Sequence, residues 1–406
     1  MALSALSSLT LGYRPLWNNE RTLAGVQLYI DCDPALDPDV PHFLRILQEM
    51  WSQAAPPLLL SPQTHQLLSA FLQNAPPGSP WIEVRGDWIE DSTLYAQAQA
   101  AQARGLKLVW RGALGELPDA RTAQWFANSL LSLTPDDSHS ERPAPAGALL
   151  DGQMYEDVQT RRMLTRCLDD HRAAAIAGWP TQDLLVQLRG RTAQPCRRRV
   201  LELMQAIDAE QSLESFEAIL GCDPVLAYRF MLYTNSAALG LRTGVDSLRR
   251  GLVMLGYGTL QRWLADQLPH ADTEPDLQPV RAAMVMRGQL TERLVEAGMG
   301  HELQREVYLC GLFSQLDVLL GEPLAGSLRR LPLSERIYQA IIGKTGPYAP
   351  SLALAQALET PDGAAIRALC QTHEMELESV NRNLLRMLRD GCESVRPLRA
   401  EIRNTP

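Results

Sequence analysis

The first half of the chain alternates between short apolar runs, typical of buried strands, and longer stretches with apolar residues at helical spacing. The strand-like runs are GVQLYI, PPLLLS, PWIEVRG, LKLVWRG, ALLDG and AAAIAGW. The helical stretches include VPHFLRILQEMW, THQLLSAFLQN, STLYAQAQAAQARG, ARTAQWFANSLL and VQTRRMLTRCLDDH. This alternation predicts parallel strands joined by helical crossovers, and therefore an α/β domain. Periodicity alone is satisfied equally by a closed barrel and by an open sheet.

The second half has a different pattern. From about residue 196 the strand-like runs disappear, and helical spacing continues almost to the C-terminus. Representative segments are VLAYRFMLYTNSA, YGTLQRWLADQL and LQREVYLCGLFSQLDVLLG. Glycine or proline follows several of them, as expected at helix ends. The pattern therefore predicts an α/β domain over residues 1–195 and an all-helical domain over residues 196–406.

Composition supports two globular domains and narrows the classes of function. The 406 residues are 46% hydrophobic, which is enough for large buried cores. The formal net charge of −9 argues against nucleic acid as a partner. The seven cysteines are scattered without a CxxC pair, as is typical of reduced thiols. With no apolar run of about 18 residues and no secretory leader pattern, we expect no membrane insertion and a cytoplasmic location.

A set of motifs lies early in the helical half. Asp223-Pro224 opens one helical segment, Asn235-Ser236-Ala237 closes it, Gly240 follows, and Leu255-Gly256 ends the next segment. This combination resembles the HDOD family, and the likeness extends over roughly residues 196–390. The resemblance implies an all-helical HDOD domain that works in bacterial signalling through contacts with other proteins.

The same residues also have structural roles that require no family. Asp223 is placed to cap a helix whose first position is Pro224. Asn235 and Ser236 can close a turn against the backbone, and Gly240 can adopt a positive φ. Two interpretations of the Asn235 segment therefore stay open, a turn and a part of a partner-binding surface.

HDOD domains resemble the HD hydrolases in the arrangement of their helices. This likeness indicates which residues of the present chain correspond to the metal ligands of an HD enzyme. The stretch GLFSQLD, residues 311–317, corresponds to an HD-enzyme pattern of approximately GLLHDIG. Ser314 and Gln315 stand where that pattern has its histidine and aspartate. A hydroxyl and a carboxamide are poor substitutes for imidazole and carboxylate as ligands of a divalent cation. We therefore expect no metal centre and no phosphohydrolase activity here.

The opening of the chain, YRPLWNNERTLAGVQLYID, is similar to that of EAL domains, TIM-like barrels that hydrolyse cyclic di-GMP with metal-activated water. The resemblance implies that Gln27 replaces the signature glutamate and Leu59 an asparagine ligand. Trp110-Arg111 replaces paired aspartates, and Glu83 coincides with a metal-binding glutamate. A single carboxylate cannot hold two metal ions. The whole chain thus resembles the EAL–HDOD (YuxH-like) arrangement, with a degenerate EAL-type barrel before the HDOD domain.

Two uses of such a barrel stay open. It can be a structural platform that packs against the helical half, or a metal-free pocket that still binds cyclic di-GMP. Residues at the C-terminal ends of barrel strands face one mouth, and arginines suit phosphate groups. The residues of this candidate ligand site are Gln27, Glu83, Arg85, Trp110, Arg111 and Asp151.

Phosphate-loop, dinucleotide, hydrolase-elbow and zincin motifs do not occur in the chain. The leading hypothesis is a non-catalytic scaffold or adaptor for other signalling proteins, without a cofactor. The second hypothesis is a receptor that binds cyclic di-GMP without hydrolysing it. Apolar helical faces commonly associate, so the sequence leaves a homodimer open.

Overall fold

The computed structural model describes residues 5–36, 38–52, 54–133, 149–187, 194–236, 244–295 and 301–390. Within these ranges the first half forms a closed barrel of eight strands in sequential order. The strands are β1 (Leu9–Trp17), β2 (Leu23–Cys32), β3 (Leu58–Pro62), β4 (Trp81–Arg85), β5 (Leu108–Ala113), β6 (Phe126–Ser132), β7 (Met154–Glu156) and β8 (Ala175–Ala177). The predicted α/β domain is therefore a closed barrel.

Strand direction distinguishes β1 from the rest of the barrel. It runs antiparallel to both neighbours, β2 and β8, whereas all other adjacent pairs are parallel. The helices of this half are α1 (Ala5–Ser8), α2 (Val40–Met50), α3 (His65–Asn74), α4 (Ser92–Ala103), α5 (Ala120–Ala123), α6 (Arg161–Thr165) and α7 (Thr181–Gln187). Because the crossovers return each strand in the same direction, the C-terminal ends of β2 to β8 meet at one mouth.

The regular elements of the second half are helices over its described residues, as the sequence predicts, apart from an isolated β-bridge between Cys196 and Asp272. The first group of helices is α8 (Arg197–Asp208), α9 (Leu213–Gly221), α10 (Pro224–Thr234), α11 (Leu248–Leu255), α12 (Tyr257–Gln267), α13 (Gln278–Arg293) and α14 (His301–Phe313). The second group is α15 (Leu316–Leu320), α16 (Leu324–Arg329), α17 (Glu335–Tyr338), α18 (Ala349–Leu358), α19 (Gly363–Thr372) and α20 (Leu377–Asp390).

Two element predictions in the barrel half are wrong. The stretch ARTAQWFANSLL, predicted as one helix, contains the single turn α5 followed by strand β6. The run ALLDG, predicted as a strand, forms a turn over its described residues, and the strand comes later, at Met154–Glu156. Strand β7 is fully buried and has only three residues, too few to show a period, whereas the seven residues of β6 are partly buried without a regular alternation. Tertiary pairing decides the assignment in both cases.

Alternation along the strands fills the barrel interior in layers. One apolar cluster of the interior consists of Leu16, Leu59, Val109, Leu130, Met154, Ala175 and Ala177. Two residues further along their strands, Arg111 follows Val109 and Glu156 follows Met154 on the same face. The apolar layer therefore supports a polar layer at the mouth.

The last helices of the chain pack against the barrel. Leu354, Leu358, Ile366 and Leu384 belong to the same buried cluster as strand residues of β1 and β2. Asn381 of α20 is fully buried, and its amide donates to the carbonyls of Leu6 and Leu9 at 2.7 Å each. The division at residue 195/196 stays a prediction, and residues 354–384 share a core with the first half.

Charged contacts also join the two halves. Asp276, at the start of α13, accepts from Arg21 Nε at 2.9 Å and from Arg161 Nε at 2.8 Å. Its side chain is only 3% exposed. The indole N–H of Trp179 donates to the Asp276 carbonyl at 2.8 Å. Because these contacts are buried, they resist screening by salt.

Of the helices in the described part of the chain, none has the length and apolar character needed to cross a bilayer. The cysteines of the described residues are free thiols, and most are buried.

Candidate functional site

Three predicted site residues meet at the barrel mouth. The amide of Gln27 donates to Glu83 Oε2 at 2.6 Å. Arg111 Nη1 donates to Glu83 Oε1 at 2.9 Å. Gln27 is fully buried and Glu83 is 2% exposed. The sequence resemblance thus selects residues that are adjacent in space.

Four further residues complete the network, and the sequence analysis missed them. Glu156, at the end of β7, accepts from Arg111 Nε at 2.8 Å and from Arg14 Nη2. Arg14 Nε donates to Gln27 Oε1 at 3.0 Å, and the Tyr29 hydroxyl donates to the same oxygen at 3.2 Å. The fourth residue, Ser132, donates its hydroxyl to Glu156 Oε1 at 2.9 Å.

The sequence contains a pattern that could have placed Arg14 at the barrel mouth, but none that could have placed Glu156 there. Arg14 pairs directly with Gln27 in the β1–β2 hairpin, so alternation along the hairpin places both side chains on one face. Glu156 ends a strand of three residues, and no period can be read from so short a run.

The hydrogen-bonded residues at the barrel mouth, which we call the mouth network, keep their protonation states fixed at neutral pH. Burial opposes ionisation of Glu156, but Arg111 and Arg14 outweigh it and hold the pKa of this carboxyl below its usual value. Burial likewise opposes the charge on Arg111, yet Glu83 and Glu156 raise its pKa above the usual value. Burial raises the pKa of Tyr29 to about 12, which keeps its hydroxyl a donor at neutral pH.

This donor set does not fit a pair of divalent metal ions. Each of the two buried carboxylates, Glu83 and Glu156, already accepts from the guanidinium group of Arg111. A protonated guanidinium repels a cation and competes for the same oxygens. Among the described residues, no group of three or more histidine, cysteine, aspartate or glutamate side chains is arranged to hold a metal.

Two further predicted residues, Arg85 and Trp110, line the mouth cavity but make no contact with the carboxylates of the network. Arg85 is at the rim, where its guanidinium pairs with Asp87 at 3.3 Å and lies 5.1 Å from the Trp88 ring centre. Trp110 alternates with Val109 and Arg111, so its ring lies outside the barrel interior and packs edge-on against Phe126 with 5.3 Å between ring centres. Trp110 is therefore not an open stacking platform.

The prediction that Asp151 belongs to the mouth is wrong. Asp151 precedes β7 and lies near the N-terminal end of that strand, opposite the mouth. Its side chain is 84% exposed, and one oxygen lies 3.0 Å from His171 Nδ1. The error follows from taking ALLDG as the strand, which moves the C-terminal end of the strand by several residues.

A cavity of about 750 Å³ opens above the network. Its walls carry two guanidinium groups, those of Arg85 and Arg111. Five carboxylates share the same walls: Asp87, Glu90, Glu116, Glu156 and Asp157. The mouth is therefore acidic overall, although it contains the arginines that the sequence analysis assigned to phosphate.

In the helical half, Asp223 and Pro224 have the predicted capping role. Asp223 Oδ1 accepts from the amides of Val225 at 2.8 Å and Leu226 at 3.0 Å, and Pro224 is the first residue of α10. The other Asp223 oxygen accepts from Arg281 Nη1 at 2.6 Å. Asp223 is fully buried, so this ion pair joins α10 to α13 inside the core.

The structure supports the turn interpretation of Asn235. Its Nδ2 donates to the carbonyls of Met231 at 2.7 Å and Val245 at 2.9 Å, and its Oδ1 accepts from the Val245 amide at 2.7 Å. The carboxamide is thus used within the chain. The hydroxyl of Ser236 is buried, and Gly240 lies outside the described residues.

Ser314 and Gln315, the residues that the family resemblance assigns to the HD ligand positions, follow directly after α14. The hydroxyl of Ser314 donates to the Gly311 carbonyl at 2.8 Å and accepts from Arg287 Nη1 at 3.4 Å. Arg287 is 6% exposed and forms a two-pronged pair with Glu359, with Nε donating at 2.8 Å. Gln315 is exposed. A buried guanidinium therefore lies beside Ser314.

Comparison with protein families identifies part of the chain. The family model of the HDOD domain matches residues 195–320. These residues form an HDOD domain. The matched HDOD domain contains Asp223, Asn235, Arg281, Arg287 and Ser314, and it ends before α18 to α20. No comparison shows the EAL identity of the barrel.

Two curated bacterial proteins are similar to part of the chain. Cyclic di-GMP phosphodiesterase CdgJ of Vibrio cholerae is 22% identical over 169 residues, which cover 42% of this chain and 39% of that protein. Uncharacterized protein YuxH of Bacillus subtilis is 23% identical over 164 residues, covering 39% of this chain and 40% of that protein. The matches thus span about two fifths of each relative's length.

Solved structures give a weaker likeness. The MmoQ response regulator of Methylococcus capsulatus covers 48% of this chain and 99% of its own, with a TM-score of 0.39 and 15% identity. A virulence factor of Campylobacter jejuni covers 53% of this chain and 100% of its own, with a TM-score of 0.35 and 13% identity. At these scores the likenesses carry no argument about function.

Proposed function

We propose that this chain is a non-catalytic bacterial signal-transduction protein, a scaffold or adaptor whose HDOD domain binds other signalling proteins. One observation carries the proposal. At both candidate centres, a guanidinium group of the chain contacts a residue that the family resemblance assigns to a metal-ligand position or its neighbour. Arg111 lies between Glu83 and Glu156, and Arg287 lies beside Ser314. Guanidinium groups stay protonated at physiological pH, so each is a fixed positive charge.

A hydrolysis assay tests the non-catalytic part. The purified full chain is incubated with cyclic di-GMP and Mg²⁺ or Mn²⁺, and the nucleotides are separated by chromatography. We expect the cyclic nucleotide to remain intact. Linear product that increases with protein concentration and disappears in the Glu83→Gln variant would overturn the proposal. Product that persists unchanged in that variant arises from a contaminating enzyme and leaves the expected result in place.

The HDOD domain offers a surface for a partner at the junction of α11 and α12. Three large apolar side chains are exposed there: Val253 by 65%, Met254 by 47% and Tyr257 by 53%. One helical turn earlier lie Arg249 and Arg250, whose partners are carboxylates at the surface of the same domain. An apolar patch bordered by arginines suits a protein segment that combines apolar and acidic side chains.

Affinity capture tests this surface. The full chain and the variant Val253→Asp/Met254→Asp are compared for the proteins they retain, and each retained protein is then purified and titrated. We expect direct binding of a purified partner to be lost in the double variant. The matched control is Val186→Asp, which alters a 49%-exposed valine in the barrel half. Equal binding by all three proteins would contradict a role of this surface.

The receptor hypothesis is less well supported by the mouth. Cyclic di-GMP is a dianion, whereas the cavity walls carry five carboxylates and two guanidinium groups. The excess of negative charge opposes its entry. Calorimetric titration of the full chain with cyclic di-GMP decides the point, and we expect no saturable heat. Saturable binding that is abolished in Arg111→Ala would restore the receptor hypothesis.

A further inference from the structure

A second cavity lies where the barrel meets the HDOD domain, and its charge is opposite to that of the mouth. Its volume is about 390 Å³, and its walls come from the β1–β2 turn and from helices α8 and α13. Three carboxylates line it, those of Glu20, Asp223 and Asp272. Five arginines line it as well: Arg21, Arg197, Arg198, Arg199 and Arg281. We refer to it as the interdomain cleft.

The N-terminus of α8 contributes to the same cleft. This helix has 12 residues and begins at Arg197, and its N-cap residue Cys196 makes no side-chain capping bond. Both residues line the cleft. The first turn of a helix carries a partial positive charge, and anions bind there readily.

Arg281 supplies an independent observation that points to a ligand. The residue is 3% exposed and lines the cleft. Its Nη1 donates to Asp223 at 2.6 Å, and its Nη2 donates to the Gln194 carbonyl at 2.7 Å. Its Nε–H has no acceptor among the described residues. A buried donor without an acceptor is costly, so an acceptor from outside the chain would stabilise this arrangement.

We propose that the interdomain cleft binds a small phosphorylated ligand through a phosphomonoester group. The lining has two more guanidinium groups than carboxylates, although Arg21 and Arg281 are already paired with aspartates. This excess, the helix N-terminus and the guanidinium N–H without an acceptor favour an anion with several acceptor oxygens. The volume of the cleft suits a phosphate with a small organic group and not a macromolecule. This site is separate from the protein-binding surface proposed above, and neither proposal depends on the other.

Because the cleft lies between the two halves, a bound ligand affects the stability of the whole chain. Glu20, Arg21 and Thr22 belong to the barrel half, whereas Cys196 and Arg281 belong to the HDOD domain. A ligand that contacts both sides binds the folded arrangement better than the unfolded chain. Binding therefore raises the unfolding midpoint of the full chain.

The test uses the full chain with inorganic phosphate, and a nucleoside monophosphate serves as a phosphate ester. Thermal unfolding and calorimetry are measured against sodium chloride at matched ionic strength. We expect saturable binding of phosphate and a rise in the unfolding midpoint, with tighter binding of the ester if the organic group is also held. Saturable binding of phosphate alone supports the anion site and assigns the recognition to phosphate itself.

Two variants locate the site. Arg197→Gln removes an exposed charge at the helix N-terminus, and we expect it to weaken phosphate binding about tenfold. Arg281→Lys keeps a cation beside Asp223 but removes the Nε–H, and we expect a loss of similar size. Circular dichroism checks the fold of Arg281→Lys. If this variant does not fold, Arg197→Gln decides the outcome.

The control variant is Arg262→Gln, which removes an exposed arginine of α12 that does not line the cleft. We expect it to bind phosphate as tightly as the unmodified chain. The proposal is overturned if phosphate gives no saturable signal at millimolar concentration. It is equally overturned if Arg262→Gln weakens binding as much as Arg197→Gln does, because the effect is then one of overall charge.

Discussion

At the residue scale, the barrel mouth shows how a buried carboxylate is stabilised by other side chains of the chain. Glu156 is 2% exposed, and its oxygens are shared among Arg14, Arg111 and Ser132. Removal of one partner from a buried ion pair costs more than the pair itself contributes, because a charge is left without compensation. The network therefore stabilises the fold of the barrel and also sets the charge distribution at its mouth.

Replacing Glu156 by Gln tests this contribution. Because the pKa of Glu156 is lowered in the folded state, its stabilising effect is present above its ordinary pKa and is lost as the pH falls through the folded value. We expect Glu156→Gln to lower the free energy of unfolding by about 2 kcal/mol at pH 7. The difference in the free energy of unfolding between the unmodified chain and the variant should become smaller at acidic pH. Urea unfolding at pH 7 and below pH 4 measures both quantities.

Asp151→Asn is the matched control for Glu156→Gln. It also removes a carboxylate charge in the barrel half, but from a side chain that is 84% exposed. We expect a change below about 0.5 kcal/mol at either pH. Equal effects of the two substitutions would show that the mouth network contributes nothing specific to stability.

Replacing Asn235 by Ala tests the turn interpretation of the HDOD motif. The carboxamide makes three hydrogen bonds, two with the backbone of Val245 and one with the Met231 carbonyl of α10. We expect Asn235→Ala to cost about 2 kcal/mol, since backbone groups lose their partners. The control Asn74→Ala removes a single bond from an exposed asparagine to the Ala70 carbonyl. Urea unfolding that gives the same midpoint for both variants would contradict the turn interpretation.

At the element scale, the β1–β2 hairpin is the surface on which the C-terminal helices pack. Strand β1 pairs with β8 over only two residues. At the other end of β1, the side chain of Asn381 forms hydrogen bonds with backbone groups of Leu6, Leu9 and Leu11. Arg367 of α19 adds an ion pair of 2.8 Å with Asp31 on β2. Polar groups of an exposed strand edge are thereby satisfied by a helix side chain.

The substitution Gly12→Ala tests how closely β1 packs against the chain segment that precedes α19. A Cβ at Gly12 would overlap the backbone carbonyl of Thr360, which precedes α19. We expect a loss of about 1–3 kcal/mol in the free energy of unfolding, because backbone must move to make room. Gly258→Ala, in α12, meets no atom within 4 Å and should leave stability unchanged or slightly raised. A tolerated Gly12→Ala would show that the helices are displaced easily from the hairpin.

At the scale of the whole molecule, the two halves of the chain are not independent in their packing. The buried cluster of the barrel includes Leu290 of α13 and Leu358, Leu384 and Leu388 of the last helices. Asp276 is held by Arg21 and Arg161 from the barrel half. The barrel core is thus completed by residues that follow the HDOD domain in sequence.

A fragment of residues 1–195 tests this dependence. Without α18 to α20 the apolar face of the hairpin is exposed to water. We expect the fragment to bind a hydrophobic dye and to unfold without a cooperative transition, whereas the full chain unfolds cooperatively. Near-ultraviolet circular dichroism and urea titration provide the measurement. A fragment with a cooperative transition would support an independent domain that ends at residue 195.

Prediction from sequence succeeded where a pattern is long or a motif is local. Helical spacing over ten or more residues located α8, α10 and α13, and Asp223-Pro224 predicted the start of α10 correctly. Gln27, Glu83 and Arg111 were found through family resemblance, and the structure brings them together. Strands β6 and β7 and the mouth residue Glu156 were missed, since β7 is too short to show a period and burial along β6 does not alternate regularly.

The sequence by itself determined an α/β half followed by a helical half and the capping role of Asp223, because local periodicity and side-chain chemistry are sufficient for these conclusions. That Ser314 and Gln315 replace the HD ligands stays an implication of the family resemblance. Only the tertiary structure decided that Arg14 joins Arg111 at Glu156, that Arg287 lies beside Ser314, and that Asn381 closes the edge of β1. Each of these contacts joins residues far apart in the chain, and such contacts are fixed by strand closure and helix packing.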